Sequence, residues 1–216
     1  SINISSPITN ILGALELMRL KEKKDITDDL FKIIFDEGTK VKSFISKVNS
    51  FNSNTSLNNK LANIHECLDK AISMIDEAML RKVNLYKDFD PSIPEIAYDG
   101  WLLTKCFYNV LVNSFECKSC TEIKIVTRIN HDVIIRSNDF QKILKLPIHV
   151  KIMDNGNSVN EDIEKFMFYP FISNKSGSDG LGLTLVNQAL SNLGGHVNYE
   201  RGKDLSSFNL YFPLKK

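Results

Sequence analysis

Apolar residues recur at helical spacing through the first fifty positions, with no proline after Pro7. The first run ends at the charged break KEKKD, and a second begins near Asp25 to Asp28, where capping residues precede the apolar positions. Two amphipathic helices joined by a short polar turn form a hairpin. We therefore predict a hairpin over residues 1–52, a polar linker over residues 53–60 and a second unit over residues 61–216.

The hairpin has a wide apolar face and no third element of its own to cover it. Pairing with a second copy into a four-helix bundle would bury that face, and this predicts a homodimer. Packing against the rest of the chain is the alternative.

Helical and strand patterns alternate in the second unit. ANIHECLDKAISMIDEAMLRK and GWLLTKCFYNVLVNSFECK have helical periodicity, whereas VNLYKDFDPSIPEI alternates like a strand until two prolines stop it. Three β-rich runs follow, TEIKIVTRINH, DVIIRSND and KLPIHVKIMDNG, then a helix around Leu181 to Leu193 and the strands HVNYER and SFNLYFPL. This order predicts an α+β fold, with a two-layer α/β sandwich after the helical hairpin.

Composition excludes some functions. The 216 residues are 43% hydrophobic, enough for a packed core, and carry 27 basic against 26 acidic side chains. Nothing in this balance predicts a polyanion-binding surface, so we expect no nucleic acid partner. No apolar run approaches the length of a membrane span, and the start SINISSPITN lacks the order of a signal peptide, so we expect a soluble, cytoplasmic chain without a membrane segment.

The four cysteines do not predict a metal centre. Cys117 and Cys120 are close in the chain, as CKSC, but no second cysteine pair or histidine pair is spaced to complete a zinc site.

The string IHVKIMDNGNSV predicts a buried strand that ends at Asp154, Asn155 and Gly156. A carboxylate at the mouth of a strand can accept a hydrogen bond from an adenine amino group, and the glycine lets backbone approach the base. Taken alone, DNG is also a common turn.

A glycine-rich entry precedes the last helix. Gly180 and Gly182 open a strongly apolar helix, where free backbone amides and the helix dipole can face a phosphate. A purely structural turn has the same pattern. Lys175 could add a positive charge, or be an ordinary solvated lysine.

A third pattern lies in NVLVNSFE, where Asn109, Asn113 and Glu116 share one helical face. Amide carbonyls are hard oxygen donors suited to Mg²⁺, although the same spacing also fits a solvated face.

In the order asparagine helix, DNG strand end, aromatic segment FMFYPF and GLGL helix, these motifs resemble the ATP-binding domain of sensor histidine kinases, a fold of the histidine-kinase/Hsp90/gyrase type. The segments NIHECLDKA and DFDPSIPEI, with an extra strand pair between Thr121 and Leu146, are similar to those of the nitrogen-regulation sensor kinases of the NtrB type.

The resemblance implies cofactors ATP and Mg²⁺ and a role for each motif. Asn113 would ligate Mg²⁺, Asn109 would help to hold the phosphates, Asp154 would bind the adenine amino group and Gly156 would line the base. The remaining matched residues are those of the aromatic segment and lid, Phe168, Phe171 and Lys175, and those of the phosphate-contacting turn, Gly180, Leu181 and Gly182.

The chain also departs from the family pattern. The family's HEIKNP motif lies over residues 2–7, so Ile2 occupies the position of the acceptor histidine, and Asn3 and Ser6 replace its acidic and polar residues. An isoleucine side chain has no lone pair, so self-phosphorylation on the hairpin is not expected. In the nucleotide site, Ser158 and Ser178 replace glycines, which predicts weaker rather than abolished ATP binding.

The resemblance implies a two-component histidine kinase transmitter, with any sensory region before Ser1, and it implies the partner as well. Its expected partner is the receiver domain of an NtrC-like response regulator, docked on the hairpin near Ile11 to Leu20. A non-catalytic scaffold that keeps the kinase fold is the alternative that Ile2 favours. An ATPase of the chaperone or topoisomerase kind is a third possibility, but the hairpin argues against it, and Asn109 stands where those enzymes have a general-base glutamate.

Overall fold

The computed structural model describes residues 5–20, 24–52, 61–117, 119–130, 134–136, 143–157, 161–173 and 180–214. The helices are α1 (Ser5–Leu20), α2 (Lys24–Asn52), α3 (Ile64–Ser73), α4 (Glu77–Leu80), α5 (Gly100–Phe115), α6 (Glu161–Glu164) and α7 (Gly182–Leu193). The strands are β1 (Asn84–Asp88), β2 (Glu122–Ile129), β3 (Ile134–Arg136), β4 (Ile143–Lys145), β5 (Ile148–Asp154), β6 (His196–Arg201) and β7 (Ser206–Phe212).

Helices α1 and α2 contact each other, as the two apolar stripes predict. Ala14 and Leu30 are buried at 4% and 7% exposure, but many large apolar side chains of the pair stay exposed in the single chain. These are Ile8, Leu12, Leu15, Leu17, Phe31, Ile33, Phe35 and Ile45. The predicted linker over residues 53–60 lies outside the described residues, so the domain boundaries remain predictions.

A five-stranded sheet forms the base of the second unit, in the order β1-β2-β5-β7-β6. β1 pairs with β2 in parallel, and the other neighbours pair antiparallel. Ile152 on the central strand β5 lies opposite Ile125 of β2 and Phe208 of β7, so all three side chains share one face.

Helices α3, α5 and α7 cover this apolar face. α5 contacts both α3 and α7, and α7 also contacts β6 and β7. Phe107 of α5 and Phe212 of β7 are fully buried, with ring centroids 6.1 Å apart in an edge-on arrangement. The predicted α+β sandwich is therefore confirmed.

The helical pattern of residues 62–82 contains two helices rather than one. α3 ends at Ser73, and α4 begins after Asp76, whose Oδ1 accepts a hydrogen bond of 2.7 Å from the backbone N–H of Ala78. An aspartate that caps a new helical turn competes with continuation of the preceding helix, which explains the break.

The extra strand pair is present as β3 and β4, which pair antiparallel in a separate two-stranded sheet. Among the helices that the structure describes, none combines the length and the apolar character that crossing a bilayer requires.

Candidate functional site

Asp154 is the last residue of β5, the central strand of the sheet. It lies opposite Ile123 of β2 and Ser206 of β7, and only 4% of it is exposed. Its Oδ1 accepts a hydrogen bond of 3.2 Å from the backbone N–H of Gly156. Because strands flank it on both sides, the carboxyl group is held in place at the mouth of the sheet.

Asn155 fastens this strand end to β2. Its Oδ1 accepts hydrogen bonds of 2.9 Å from the backbone N–H groups of both Thr121 and Glu122, and its Nδ2 donates one of 2.9 Å to Thr121 Oγ1. No role is predicted for Asn155 from the sequence because its partners are more than thirty residues away. Its position directly after a strand, where asparagine commonly bonds backbone, was the available signal.

Gly156 lies directly against Cys117, which follows the end of α5. A Cβ at Gly156 would stand 2.5 Å from Cys117 Sγ, so any side chain would collide there. Cys117 Sγ also donates a hydrogen bond of 3.1 Å to the carbonyl oxygen of Asn157. Cys117 therefore gives a steric reason for glycine at this position, and the predicted approach of an adenine base to Gly156 remains a prediction.

Asn109, in the middle of α5, meets the start of α7. Its Nδ2 donates a hydrogen bond of 2.8 Å to the carbonyl oxygen of Lys105. A Cβ at Gly182 would stand 2.9 Å from Asn109 Oδ1, so the absence of a side chain at Gly182 lets the two helices approach. The predicted phosphate residue and the predicted phosphate turn are therefore neighbours.

Asn113 is half-buried and lies one turn after Asn109 on α5. Glu116 is the exposed C-cap residue of the same helix. Within the described residues, no three histidine, cysteine, aspartate or glutamate side chains are grouped to hold a metal ion. A Mg²⁺ site here would depend on Asn113 together with ligand oxygens and water.

The glycine turn before α7 packs on the aromatic segment. Gly180 has φ +63°, and a Cβ there would lie 2.7 Å from the backbone nitrogen and oxygen of Ile172. Phe171 also adopts a left-handed conformation, with φ +65°, which is uncommon for an aromatic residue. The structure therefore brings Phe171 and Gly180 together, and their assignment to the nucleotide site remains a prediction.

In the part of the chain that the structure describes, no side chain caps the start of α7. Leu181 is the N-cap residue, fully buried, and no described side chain accepts a hydrogen bond from the first amides of the helix. Uncapped N-terminal amides and the positive end of the helix dipole favour an anion.

Two buried hydroxyl groups lie on the two helices that meet here. Thr184, in the first turn of α7, is 5% exposed, and Ser114, next to Asn113 on α5, is 1% exposed. Neither hydroxyl has a hydrogen-bond partner in the described part of the chain. A buried hydroxyl left unpaired lowers stability.

Other predicted residues are placed less completely. Phe168 is half-buried and packs against the hydrophobic core. Lys175, Ser158, Ser178 and Ile2 lie outside the described residues.

Helix α5 spans the whole candidate site. Cys117, just after its end, contacts the DNG loop, and Asn109 contacts the glycine turn. The two residues are eight positions apart, which corresponds to about 12 Å at the rise of an α-helix. That separation suits a ligand whose base lies at one end and whose phosphates lie at the other.

Comparison with protein families agrees with this geometry. The model of the family described as "Histidine kinase-, DNA gyrase B-, and HSP90-like ATPase" matches residues 99–216, more than half of the chain. This chain belongs to that family. The ATPase family has an ATP-binding fold, and the matched region contains the DNG strand end and both helices, α5 and α7, that form the candidate site.

Curated relatives within the histidine-kinase branch cover nearly all of the chain. The sensory histidine kinase/phosphatase NtrB of Rhodobacter capsulatus is 28% identical over 215 residues, 98% of this chain and 59% of the relative. NtrB of Rhizobium meliloti is 26% identical over 216 residues, 99% of this chain and 56% of the relative. The expected resemblance to NtrB-type kinases is confirmed, and the chain spans a little more than half the length of these relatives.

Solved histidine kinase structures share the fold. Full-length ShkA in complex with AMPPNP has a TM-score of 0.63 at 16% identity, covering 98% of this chain and 44% of ShkA. The Acinetobacter baumannii kinase AdeS has a TM-score of 0.57 at 18% identity, with both chains covered completely. The catalytic domain of ThkA has a TM-score of 0.59 at 17% identity, covering 72% of this chain and 95% of that domain.

Proposed function

We propose that this chain is the transmitter region of a two-component sensor histidine kinase, which binds Mg-ATP and acts on the receiver domain of a response regulator. The observation that carries the proposal is the arrangement around α5. One end of the helix meets the DNG loop, and its middle meets the uncapped glycine turn of α7. An adenine nucleotide is the ligand class that this pairing of a buried carboxyl group with an anion-binding helix end fits.

The described residues suit the nucleotide at both ends of the site. Asp154 would accept a hydrogen bond from the adenine amino group, and Gly156 would line the base. The amides of Leu181 and Gly182 would hold phosphate oxygens together with Asn109. The unpartnered hydroxyl of Thr184 in the same helical turn supports a polar ligand there.

Asn113 would provide a protein oxygen to Mg²⁺, with phosphate oxygens and water completing its shell. When bound, Mg-ATP supplies the phosphoryl group and the cation that neutralises its charge. The protein residues would orient the triphosphate.

The hairpin would form a homodimer. The exposed apolar side chains of α1 and α2 make up a surface that a second hairpin could bury as a four-helix bundle. By family resemblance, the receiver domain of an NtrC-like regulator would dock near Ile11 to Leu20, and the protein would act in the cytoplasm.

Ile2 limits the chemistry. With isoleucine at the acceptor position, no nitrogen is available there to attack the γ-phosphate, so the hairpin would not phosphorylate itself. Nucleotide binding, dimerisation and receiver docking do not require that nitrogen.

Calorimetry with Mg-ATP tests the proposal directly. We expect saturable binding, and at a ligand concentration a hundredfold above the dissociation constant a gain in stability of about 2.7 kcal/mol. Magnesium alone and Mg-GTP are the controls. Guanine carries an oxygen at C6, where adenine carries the amino group that Asp154 would bind. If millimolar Mg-ATP produces no binding heat and no shift in melting temperature, this function is excluded.

A non-catalytic scaffold that keeps the fold is the second candidate, and Ile2 with Ser158 and Ser178 favours it. It predicts hairpin dimerisation and receiver binding without any nucleotide effect. Transfer of labelled γ-phosphate to this chain or to an added receiver domain would rule the scaffold out.

A further inference from the structure

Cys117 and Cys120 lie in one tight turn between α5 and β2. The backbone N–H of Cys120 donates a hydrogen bond of 3.3 Å to the carbonyl oxygen of Cys117. Ser119, directly before Cys120, has a left-handed backbone conformation, with φ +64°. A backbone hydrogen bond between residues three positions apart is typical of turns in which the two Cα atoms lie within about 7 Å. A disulfide spans Cα separations of about 4.4 to 6.8 Å, so the turn matches its reach.

The two thiols also differ from the other cysteines in access. No disulfide joins any of the four cysteines in this structure. Cys117 and Cys120 are half-buried, whereas Cys67 and Cys106 are buried at 3% and 0% exposure, and burial raises the pKa of Cys106 to about 12. A soluble oxidant should therefore react with Cys117 and Cys120 in preference to the buried Cys67 and Cys106.

The turn touches the candidate nucleotide site at two points. Cys117 Sγ packs on Gly156 and donates to the carbonyl oxygen of Asn157. Cys120 Sγ donates a hydrogen bond of 3.6 Å to the carbonyl oxygen of Glu122, which also accepts one of 3.3 Å from the backbone N–H of Asn155. Burial, followed by the negative charge of nearby Asp154, raises the pKa of Cys120. Both thiols thus stand next to the loop that would receive the adenine base.

We propose that Cys117 and Cys120 form a reversible disulfide, a redox modification site at the edge of the nucleotide site. The oxidant class is a low-molecular-weight disulfide such as oxidised glutathione. The thiolate of one cysteine attacks a sulfur of the oxidant, whose S–S bond breaks and releases one thiol after proton uptake. The second cysteine then attacks the mixed disulfide and releases the second thiol. In total the cysteines lose two electrons and two protons, and the oxidant gains them.

Disulfide formation changes the DNG loop. Cys117 Sγ loses its proton and turns toward Cys120, so its hydrogen bond to the Asn157 carbonyl is lost and its packing on Gly156 changes. The effect on nucleotide binding rests on the proposed function. We expect the affinity for Mg-ATP to fall about tenfold, which corresponds to the loss of one net hydrogen bond.

The test uses the full chain after incubation with oxidised or reduced glutathione. Lys118 lies between the two cysteines, so trypsin separates them in the thiol form but leaves their peptides linked in the disulfide form. We expect linked peptides, reversed by dithiothreitol, in the wild type and in Cys67→Ser, and none in Cys117→Ser or Cys120→Ser. Mg-ATP titration of the oxidised, re-reduced and variant chains measures the coupling.

The outcomes separate the two proposals. Failure of the peptides to link, with both turn cysteines still open to alkylation, overturns the disulfide. Linked peptides with unchanged Mg-ATP affinity overturn its regulatory effect. Linked peptides in a chain whose reduced form binds no Mg-ATP support the modification site and refute the proposed function instead.

Discussion

Replacing Gly180 by alanine tests whether the glycine turn and the aromatic segment form one wall of the nucleotide site. An alanine at φ +63° costs about 1–2 kcal/mol in backbone conformation. Its Cβ would also stand 2.7 Å from backbone atoms of Ile172, which cannot rotate away. Overpacking of this kind adds about 1–3 kcal/mol, so we expect Gly180→Ala to lose about 2–5 kcal/mol of unfolding free energy.

Gly194→Ala is the matched control. Gly194 also has a left-handed conformation, φ +77°, but a Cβ there would meet only Pro213 Cγ, at an ordinary 3.8 Å. It should lose about 1–2 kcal/mol, from conformation alone, and keep its Mg-ATP affinity. Urea unfolding and calorimetry measure both quantities. If Gly180→Ala is no less stable than Gly194→Ala and binds Mg-ATP as the wild type does, the packing of this turn on Ile172 does not shape the site.

Three further substitutions test single interactions. Asp154→Asn should weaken Mg-ATP binding ten- to a hundredfold by calorimetry, a loss of about 1–3 kcal/mol, whereas exposed Asp204→Asn should not change it. Thr184→Val should leave the melting temperature unchanged or higher because the buried hydroxyl has no partner, whereas Thr127→Val should lower it because Thr127 Oγ1 accepts a hydrogen bond of 2.9 Å from backbone. Burial lowers the pKa of His149 from its ordinary value of 6.5, so the folded chain binds fewer protons at this residue than the unfolded chain does. The contribution of His149 to stability should therefore be full above pH 6.5 and decrease as the pH falls below it. His149→Gln should reduce this pH dependence, measured by urea unfolding between pH 7 and pH 5.

Local patterns were sufficient to predict most elements of the fold. Alternating burial along β5 and the apolar face of α7 come directly from the spacing of their residues, and both elements are where the sequence predicts them. The break between α3 and α4 was missed because helical periodicity continues across Met74 to Asp76, and only the cap formed by Asp76 interrupts it. The parallel pairing of β1 with β2 depends on contacts across the chain that periodicity does not encode.

The residues of the candidate site also include some that local patterns predict and others that they do not. Asp154, Gly156 and the glycine turn were predicted because each belongs to a short motif with a local physical reason. Asn155 and Cys117 were not, since each acts through a partner more than thirty residues away. The contact between Asn109 and the start of α7 likewise depends on how the two helices pack, so the spacing of residues within α5 does not predict it.

The outer strands of the sheet bear on how copies of the chain can associate. β1 exposes Lys87 near its end, and β6 finishes with exposed Glu200 and Arg201. Charged side chains along unpaired strand edges oppose the joining of sheets from different molecules, which is how many β-proteins avoid forming fibres. At high protein concentration, this unit should therefore resist edge-to-edge aggregation while the apolar face of the hairpin remains available to a second copy.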